Sequence, residues 1–158
     1  MASFYTCADA LIERDGEYLM IQEGKERCRK TWNIPGGGVE QGESPVEAIK
    51  REVKEEAGLN VENVEGLLGA ANGRSTQDGH PVVVFIFKCS VEEGTPDPEL
   101  KDEIMDATFM SKEEIMEKEQ DEELRNDIVI KAFEMSERGL LPAENFSGYS
   151  HPYLDEEP

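Results

Sequence analysis

The residues from 44 to 58 carry a full set of start and stop signals for one helix, and no other stretch constrains the fold as tightly. Ser44 is a good N-cap, Pro45 suits the first helical position with its fixed φ and missing donor, and Glu47 closes a capping box. Gly58 stands where a left-handed C-cap is wanted. At about 100° per residue, the helix turns Val46, Ile49, Val53 and Ala57 to one side and Ala48, Glu52, Glu55 and Glu56 to the adjoining side. A core stripe and an acid stripe therefore run side by side. Ahead of the helix, Trp32-Asn33-Ile34-Pro35 leads into Gly36, Gly37 and Gly38, which read as a flexible bend whose carbonyls can approach a ligand or ion closely.

A glutamate-rich helix is ordinarily a solvated face, and part of this one fits that description. Glu47 with Arg51 and Arg51 with Glu55 have the i,i+4 spacing of helical ion pairs, each worth about 0.2–0.5 kcal/mol. Glu52 with Glu55 and Glu52 with Glu56 are like-charge neighbours, and the spacing puts no basic residue on their face. Such clustering costs stability unless a cation sits there. Hard oxygen donors with no Cys or His nearby select Mg²⁺, or Mn²⁺, over zinc, and a Mg²⁺ site of this type leaves positions for phosphate oxygens.

The segment from 37 to 59 resembles the Nudix box, G-x5-E-x7-R-E-U-x-E-E-x-G-U with U aliphatic, at every fixed position: Gly37, Glu43, Arg51, Glu52, Val53, Glu55, Glu56, Gly58 and Leu59. Nine specified positions over twenty-three residues make a specific signal. The resemblance implies an α/β (α+β) Nudix fold, with a mixed β-sheet sandwiched between α-helices. It also implies hydrolysis of a phosphoanhydride in a nucleoside diphosphate linked to another group, using one to three divalent ions. By the same resemblance Glu52, Glu55 and Glu56 bind metal directly or through water, with the carbonyl of Gly36 or Gly37 joining them. Arg51 then orients a glutamate, and Glu43 is structural or a minor ligand. Clustered cations would neutralise the pyrophosphate and lower the pKa of a bound water.

The proton acceptor is a box glutamate in some members of the family and a distal-loop glutamate in others. Residues 100–109 resemble the family's acidic loop before an aromatic-bearing strand, which makes Glu103 the candidate distal ligand or base beside Glu55 and Glu56. Lys25, Arg27, Arg29 and Lys30 place four basic residues within six, just before Trp32. They read either as a charged connecting loop or as a holder of substrate phosphates.

The chain has 158 residues, 37% of them apolar, enough for one domain with a single modest core. We expect residues 1–141 to form that domain and 142–158 to be a tail, extended or disordered, or an arm packing on the body or on a dimer mate. A net charge of -20 argues against binding a nucleic acid polymer, whose phosphates need basic surface. No run of eighteen apolar residues suggests a membrane span, and Met1-Ala2-Ser3-Phe4 shows no export signal. Cys7, Cys28 and Cys89 lack metal-site spacing, so reduced thiols in a cytoplasmic protein, monomer or homodimer, are expected. His80 and His151 read as surface residues.

Strands are expected at residues 5–13 and 18–22 around an Arg14-Asp15-Gly16-Glu17 turn, at 61–71, at 81–91 and briefly at 107–110. A polar loop is expected at 72–80. Ser111-Lys112-Glu113-Glu114 repeats a capping box, and Leu124, Ile128, Ile130, Ala132, Phe133 and Met135 fit a C-terminal helix ending near Gly139.

Substrate choice lies outside the box. Residues 60–80 contain neither the proline that resembles ADP-ribose hydrolases of the family nor the tyrosine of its dinucleotide hydrolases. The NADH and coenzyme A signatures of the family are missing too. That leaves the MutT-like expectation of a nucleoside di- or triphosphate, including oxidised ones. Residues 19–32 resemble human-type Nudix enzymes acting on oxidised guanine diphosphates. The alternative is a catalytically silent Nudix domain acting as a nucleotide-binding regulator.

Overall fold

The computed structural model describes residues 4–75 and 77–142. In chain order they form β1 (Tyr5–Arg14), β2 (Glu17–Glu23), a 3-10 turn (Glu26–Cys28), β3 (Trp32–Asn33), β4 (Gly36–Gly38) and α1 (Pro45–Ala57). These are followed by β5 (Val61–Arg74), β6 (Pro81–Val91), β7 (Ile104–Ser111), α2 (Lys112–Gln120), α3 (Ile128–Ser136) and β8 (Leu141–Pro142). The sheet runs β3-β2-β1-β6-β5-β8, with β4 also on β1 and β7 also on β2. β1 and β6 are parallel, Tyr5 opposite Val82 through Ile12 opposite Cys89, and the other strand pairs are antiparallel.

Helices cover both faces. Ala48, Ile49, Val53 and Ala57 of α1 pack on Ala8, Ala10, Ile12, Ile21 and Phe87. On the other side, Ile115 of α2 and Val129, Ala132 and Phe133 of α3 pack on Leu11, Met20, Leu68 and Ile86. Ala8 to Ile12 of β1 are buried because alternate residues there feed both layers. The expected mixed sheet between helices is what the chain forms.

The way β1 and β2 part company positions the functional region. They pair at Glu13–Tyr18 and Arg14–Glu17, next to the turn. Further out, β1 takes β4 as partner at Cys7, Ala8 and Asp9, while β2 goes to β3 and β7. A fork opens between them.

Four local expectations change. The glycines at 36–38 are a short strand on β1, not a loose bend. A Cβ on Gly36 would lie 2.2 Å from Asp9 Oδ1 and 2.6 Å from the Ala8 carbonyl, so glycine is needed for the backbone to close on β1. β5 continues to Arg74, past the expected end at 71, because Asn72, Gly73 and Arg74 face Val83, Val82 and Pro81 of β6. Leu124 is not helical: residues 121–127 break the chain between α2 and α3, and Leu124 makes a parallel bridge to Trp32. The Trp32 N–H donates to the Glu123 carbonyl and the Arg125 N–H to the Trp32 carbonyl, both at 2.8 Å. α3 stops at Ser136, before Gly139. Pro142 closes β8 against Gly66. The remainder of the expected tail, with Phe146, Tyr149, His151 and Tyr153, lies outside the described residues.

Candidate active site

α1 begins as its sequence dictates. The Ser44 hydroxyl accepts the Glu47 N–H at 3.2 Å, the Ser44 N–H donates to Glu47 at 2.7 Å, and Gly58 sits at φ 70°. Glu47 is thereby engaged at the cap, and the expected Glu47–Arg51 pair gives way to Glu43. Arg51 Nη2 and Nε donate to the two Glu43 carboxylate oxygens at 2.6 and 3.2 Å, a bidentate pairing. Nη1 reaches Glu52 at 2.7 Å and Glu55 at 3.4 Å, and Nη2 also donates to the Gly38 carbonyl at 2.9 Å. The acid face is therefore not free of basic residues, as spacing suggested: the long Arg51 side chain wraps onto it.

Glu56 is buried, and one of its oxygens accepts the Gly36 N–H at 2.9 Å. Burial pushes its carboxyl well above the usual range against that hydrogen bond, and Glu52, Glu23 and Asp9 add to the push. Glu52 is also raised, chiefly by burial, with Arg51 opposing and Glu55 adding. Gly37 lies against it so closely that a Cβ would stand 2.4 Å from Glu52 Oε1. Glu55 is the most exposed of the three, and its main-chain carbonyl accepts the Glu99 and Leu100 N–H groups at 2.9 and 3.1 Å, which ties the acidic loop to α1.

That loop delivers Glu103, where it pairs with Lys25 at 2.7 Å while the Gly24 N–H donates to the Glu103 carbonyl at 2.7 Å. Burial pulls the Lys25 ammonium down, but Glu103, Glu23 and Glu56 outweigh it and its pKa is raised. Lys25 and Glu103 are thus brought to the box. Arg27 and Arg29 remain exposed around the 3-10 turn, Arg29 making a 3.5 Å contact to the Gly24 carbonyl.

Four residues that spacing did not single out as functional complete the region. Asp9 is buried in the fork, and burial pushes its carboxyl up to about 7, with Arg125 opposing and Glu52 and Glu23 adding. Glu23, 3% exposed at its side chain, pairs with Arg125 at 2.5 Å. Asn33 is buried, and its Oδ1 has no hydrogen-bond partner among the described residues. Asp9 had one visible signal, a lone acid inside the apolar run Ala8 to Ile12. Arg125 had none, being 102 positions from its partner.

Three acids of α1 stand beside two buried acids of the fork, offset by Arg51, Lys25 and Arg125. Among the described residues no three acidic, histidine or cysteine side chains are already gathered as a ready cation cage. The donor set nevertheless fits a hard divalent ion: oxygen ligands, raised carboxyls in want of positive charge, and a backbone at Gly37 pressed against Glu52. A cavity of about 350 Å³ lies elsewhere, lined by Leu11, Glu13, Tyr18, Leu68, Lys88 and Leu140, and the box carboxylates do not border it.

Fold and site together define a family. The NUDIX domain model matches residues 6–133, and the chain belongs to that family. It is 48% identical over 71 residues to the 8-oxo-dGDP phosphatase NUDT18 of Mus musculus, covering 45% of this chain and 22% of that protein. It is 35% identical over 86 residues to the ADP-ribose pyrophosphatase of Methanocaldococcus jannaschii, covering 54% of this chain and 50% of that one. The chain thus spans about a fifth to a half of the length of these curated relatives. Among solved structures, a NUDIX hydrolase from Nitrosomonas europaea superposes with a TM-score of 0.82 at 29% identity, covering 93% of this chain and 98% of that one.

Proposed function

We propose that the chain is a Mg²⁺-dependent hydrolase that cleaves a phosphoanhydride bond of a nucleoside di- or triphosphate, or of a related nucleoside diphosphate derivative. The observation that carries this is the set of carboxyls of Glu52, Glu55 and Glu56 on one face of α1, two of them raised chiefly by burial, Glu52 also by Glu55 and Glu56 also by Glu52, with the Gly36–Gly37 backbone against them. Glu52, Glu55, Glu56 and the Gly37 carbonyl would hold the ion. Mn²⁺ is the expected substitute. When bound, such an ion neutralises phosphate charge and supplies hydroxide near neutral pH.

The chain's own residues do the rest. Arg51 fixes Glu52 and Glu55 while anchoring Glu43 and the Gly38 carbonyl, so that one guanidinium sets the spacing of the acid face. Glu55, the most exposed of the three acids, is the proton acceptor we assign for the attacking water. Glu103, paired with Lys25, is the second acid we assign as distal ligand or base. Arg27 and Arg29, exposed on the neighbouring turn, supply charge for incoming phosphates. The relatives' names, 8-oxo-dGDP phosphatase and ADP-ribose pyrophosphatase, share a nucleoside diphosphate portion, and this is the substrate portion we carry over. No helix among the described residues is long and apolar enough to cross a membrane. With Cys7, Cys28 and Cys89 free, the cytoplasm is the compartment we assign.

Purified protein with Mg²⁺ should release phosphate or pyrophosphate from a panel of nucleoside di- and triphosphates, oxidised nucleotides, ADP-ribose and dinucleotides. Glu56→Gln and Glu55→Gln should each lower kcat by at least 100-fold with circular dichroism unchanged. Absence of turnover across the whole panel would sink the enzyme reading, and binding without turnover would favour the silent nucleotide-binding alternative.

A further inference from the structure

β5 is the long outer strand of the sheet, and β8 covers only Gly66 and Leu67 of its free edge. From Gly69 to Arg74 the strand runs in regular register along β6, Gly69 opposite Ile86 through Arg74 opposite Pro81. On the other side no backbone partner meets Gly69–Arg74 among the described residues. β8 is antiparallel to β5, with Leu141 opposite Leu67 and Pro142 opposite Gly66. The chain therefore leaves Pro142 heading toward the Val61 end of β5, away from the open stretch.

An open edge invites the addition of another strand, and proteins ordinarily blunt it with charge, bulges, short strands or a cover. The first half of β5 is blunted in this way. Glu62 and Glu65 stand on it, its pairing with β6 shifts register three times between Val61 and Gly69, and β8 covers its end. β3 and β8 are only two residues long. β7, paired with β2, carries Asp106 and runs into α2, whose first turn holds Glu113 and Glu114. Gly69–Arg74 has none of these devices. Residues 66–77 contain no acid in a chain that has 36, and Arg74 is their one charged side chain. Apolar surface adjoins the stretch: Leu140 and Leu141 are 41% and 55% exposed beside Gly66, and Met135 of α3 lies over Gly69.

We propose that Gly69–Arg74 is a self-association edge, to which the same strand of a second copy adds in antiparallel pairing about a two-fold axis near Ala71. Such a contact is isologous, so each copy presents the same residues to the other and the assembly closes at two chains. Charge selects the occupant. Two chains of net charge -20 repel wherever their acids meet, and the acid-free edge is where two backbones can approach. Ala70 of one copy stands opposite Asn72 of the other, on a face where both side chains are exposed, so the pairing disturbs no core. Leu140 and Leu141 add apolar surface beside the paired strands. So short a contact buries little area, which makes the dimer weak and dependent on concentration. Because the remaining surface repels, the dimer tightens as salt is added.

Sedimentation equilibrium of the full chain between about 10 and 500 µM tests this, a range suited to a weak dimer. The dimer fraction should climb with concentration, and Kd should fall about threefold or more between roughly 0.05 and 0.5 M NaCl. Hydrogen exchange of the unaltered protein should slow within residues 69–74 at the higher concentration and stay unchanged in β7. Ala70→Glu/Asn72→Glu sets like charges against each other across the two-fold axis and should raise Kd by about tenfold or more. Ala70→Lys/Asn72→Lys should do the same alone, and an equimolar mixture of the two variants should dimerise again, which misfolded chains would not do. A chain that stays monomeric at the higher concentration, a dimer that loosens with salt, or one that neither charged variant weakens would overturn the proposal. If neither variant folds, the exchange measurement decides: no concentration-dependent protection within 69–74 would overturn it equally.

Discussion

Asp9 illustrates what burial does to a single side chain. Its carboxyl is pushed up to about 7, first by burial and then by Glu52 and Glu23 against the pull of Arg125, and Glu52 and Glu56 are raised as well. A carboxyl raised on folding favours the folded state while it is protonated. Its contribution is fully present below the unfolded value near 3.8 and is lost as pH climbs through the folded one, near 7 for Asp9. Cation-free protein should therefore melt several degrees higher at pH 5.5 than at pH 8. Asp9→Asn should flatten much of that slope, as read by thermal melts in chelator. An undiminished slope in the variant would show that Asp9 is charged at both values. Arg51 works in the opposite sense, held charged by Glu43 and Glu52, and it stays a cation throughout this range.

At the scale of elements, α1 is the part of the fold that could be read from local residues. Ser44, Pro45, Glu47 and Gly58 act within one or two turns of their own positions, and each does in the structure what its chemistry requires. Strands were less legible at their ends, because pairing decides them: Asn72, Gly73 and Arg74 look like loop and are held in β5 by their partners in β6. The break between α2 and α3 has the same character, since Leu124 has helical spacing but is taken by Trp32. β4 and α1 meet at Gly37, which gives a test of the acid face. Gly37→Ala would put a Cβ 2.4 Å from Glu52 Oε1 and 2.7 Å from its Cδ, forcing the carboxylate out of place. We expect kcat/KM to fall at least tenfold while the melting temperature shifts by only a few degrees. Unchanged kcat/KM would mean that the position of Glu52 is unimportant for turnover.

Across the whole molecule, charge and connectivity set the behaviour. A chain with a net charge of -20 that gathers buried acids against one helix should gain stability from any cation that binds the folded form alone, by RT ln(1 + [L]/Kd), about 2.7 kcal/mol at one hundred times Kd. Differential scanning calorimetry should show a melting temperature that rises with Mg²⁺ and falls back in chelator, and that responds far less in Glu52→Gln/Glu56→Gln. The acid face was legible from spacing because its members lie within one helix. Asp9, Glu23, Asn33 and Arg125 were not, since their meeting depends on where β1 and β2 part and on a segment that returns from the far side of the sequence. The 102 positions between Glu23 and Arg125 also order events in time. On a ribosome adding about 5–20 residues per second, the nascent chain owns its acid helix seconds before residue 125 emerges, and for that interval it has the acids without the cleft beside them.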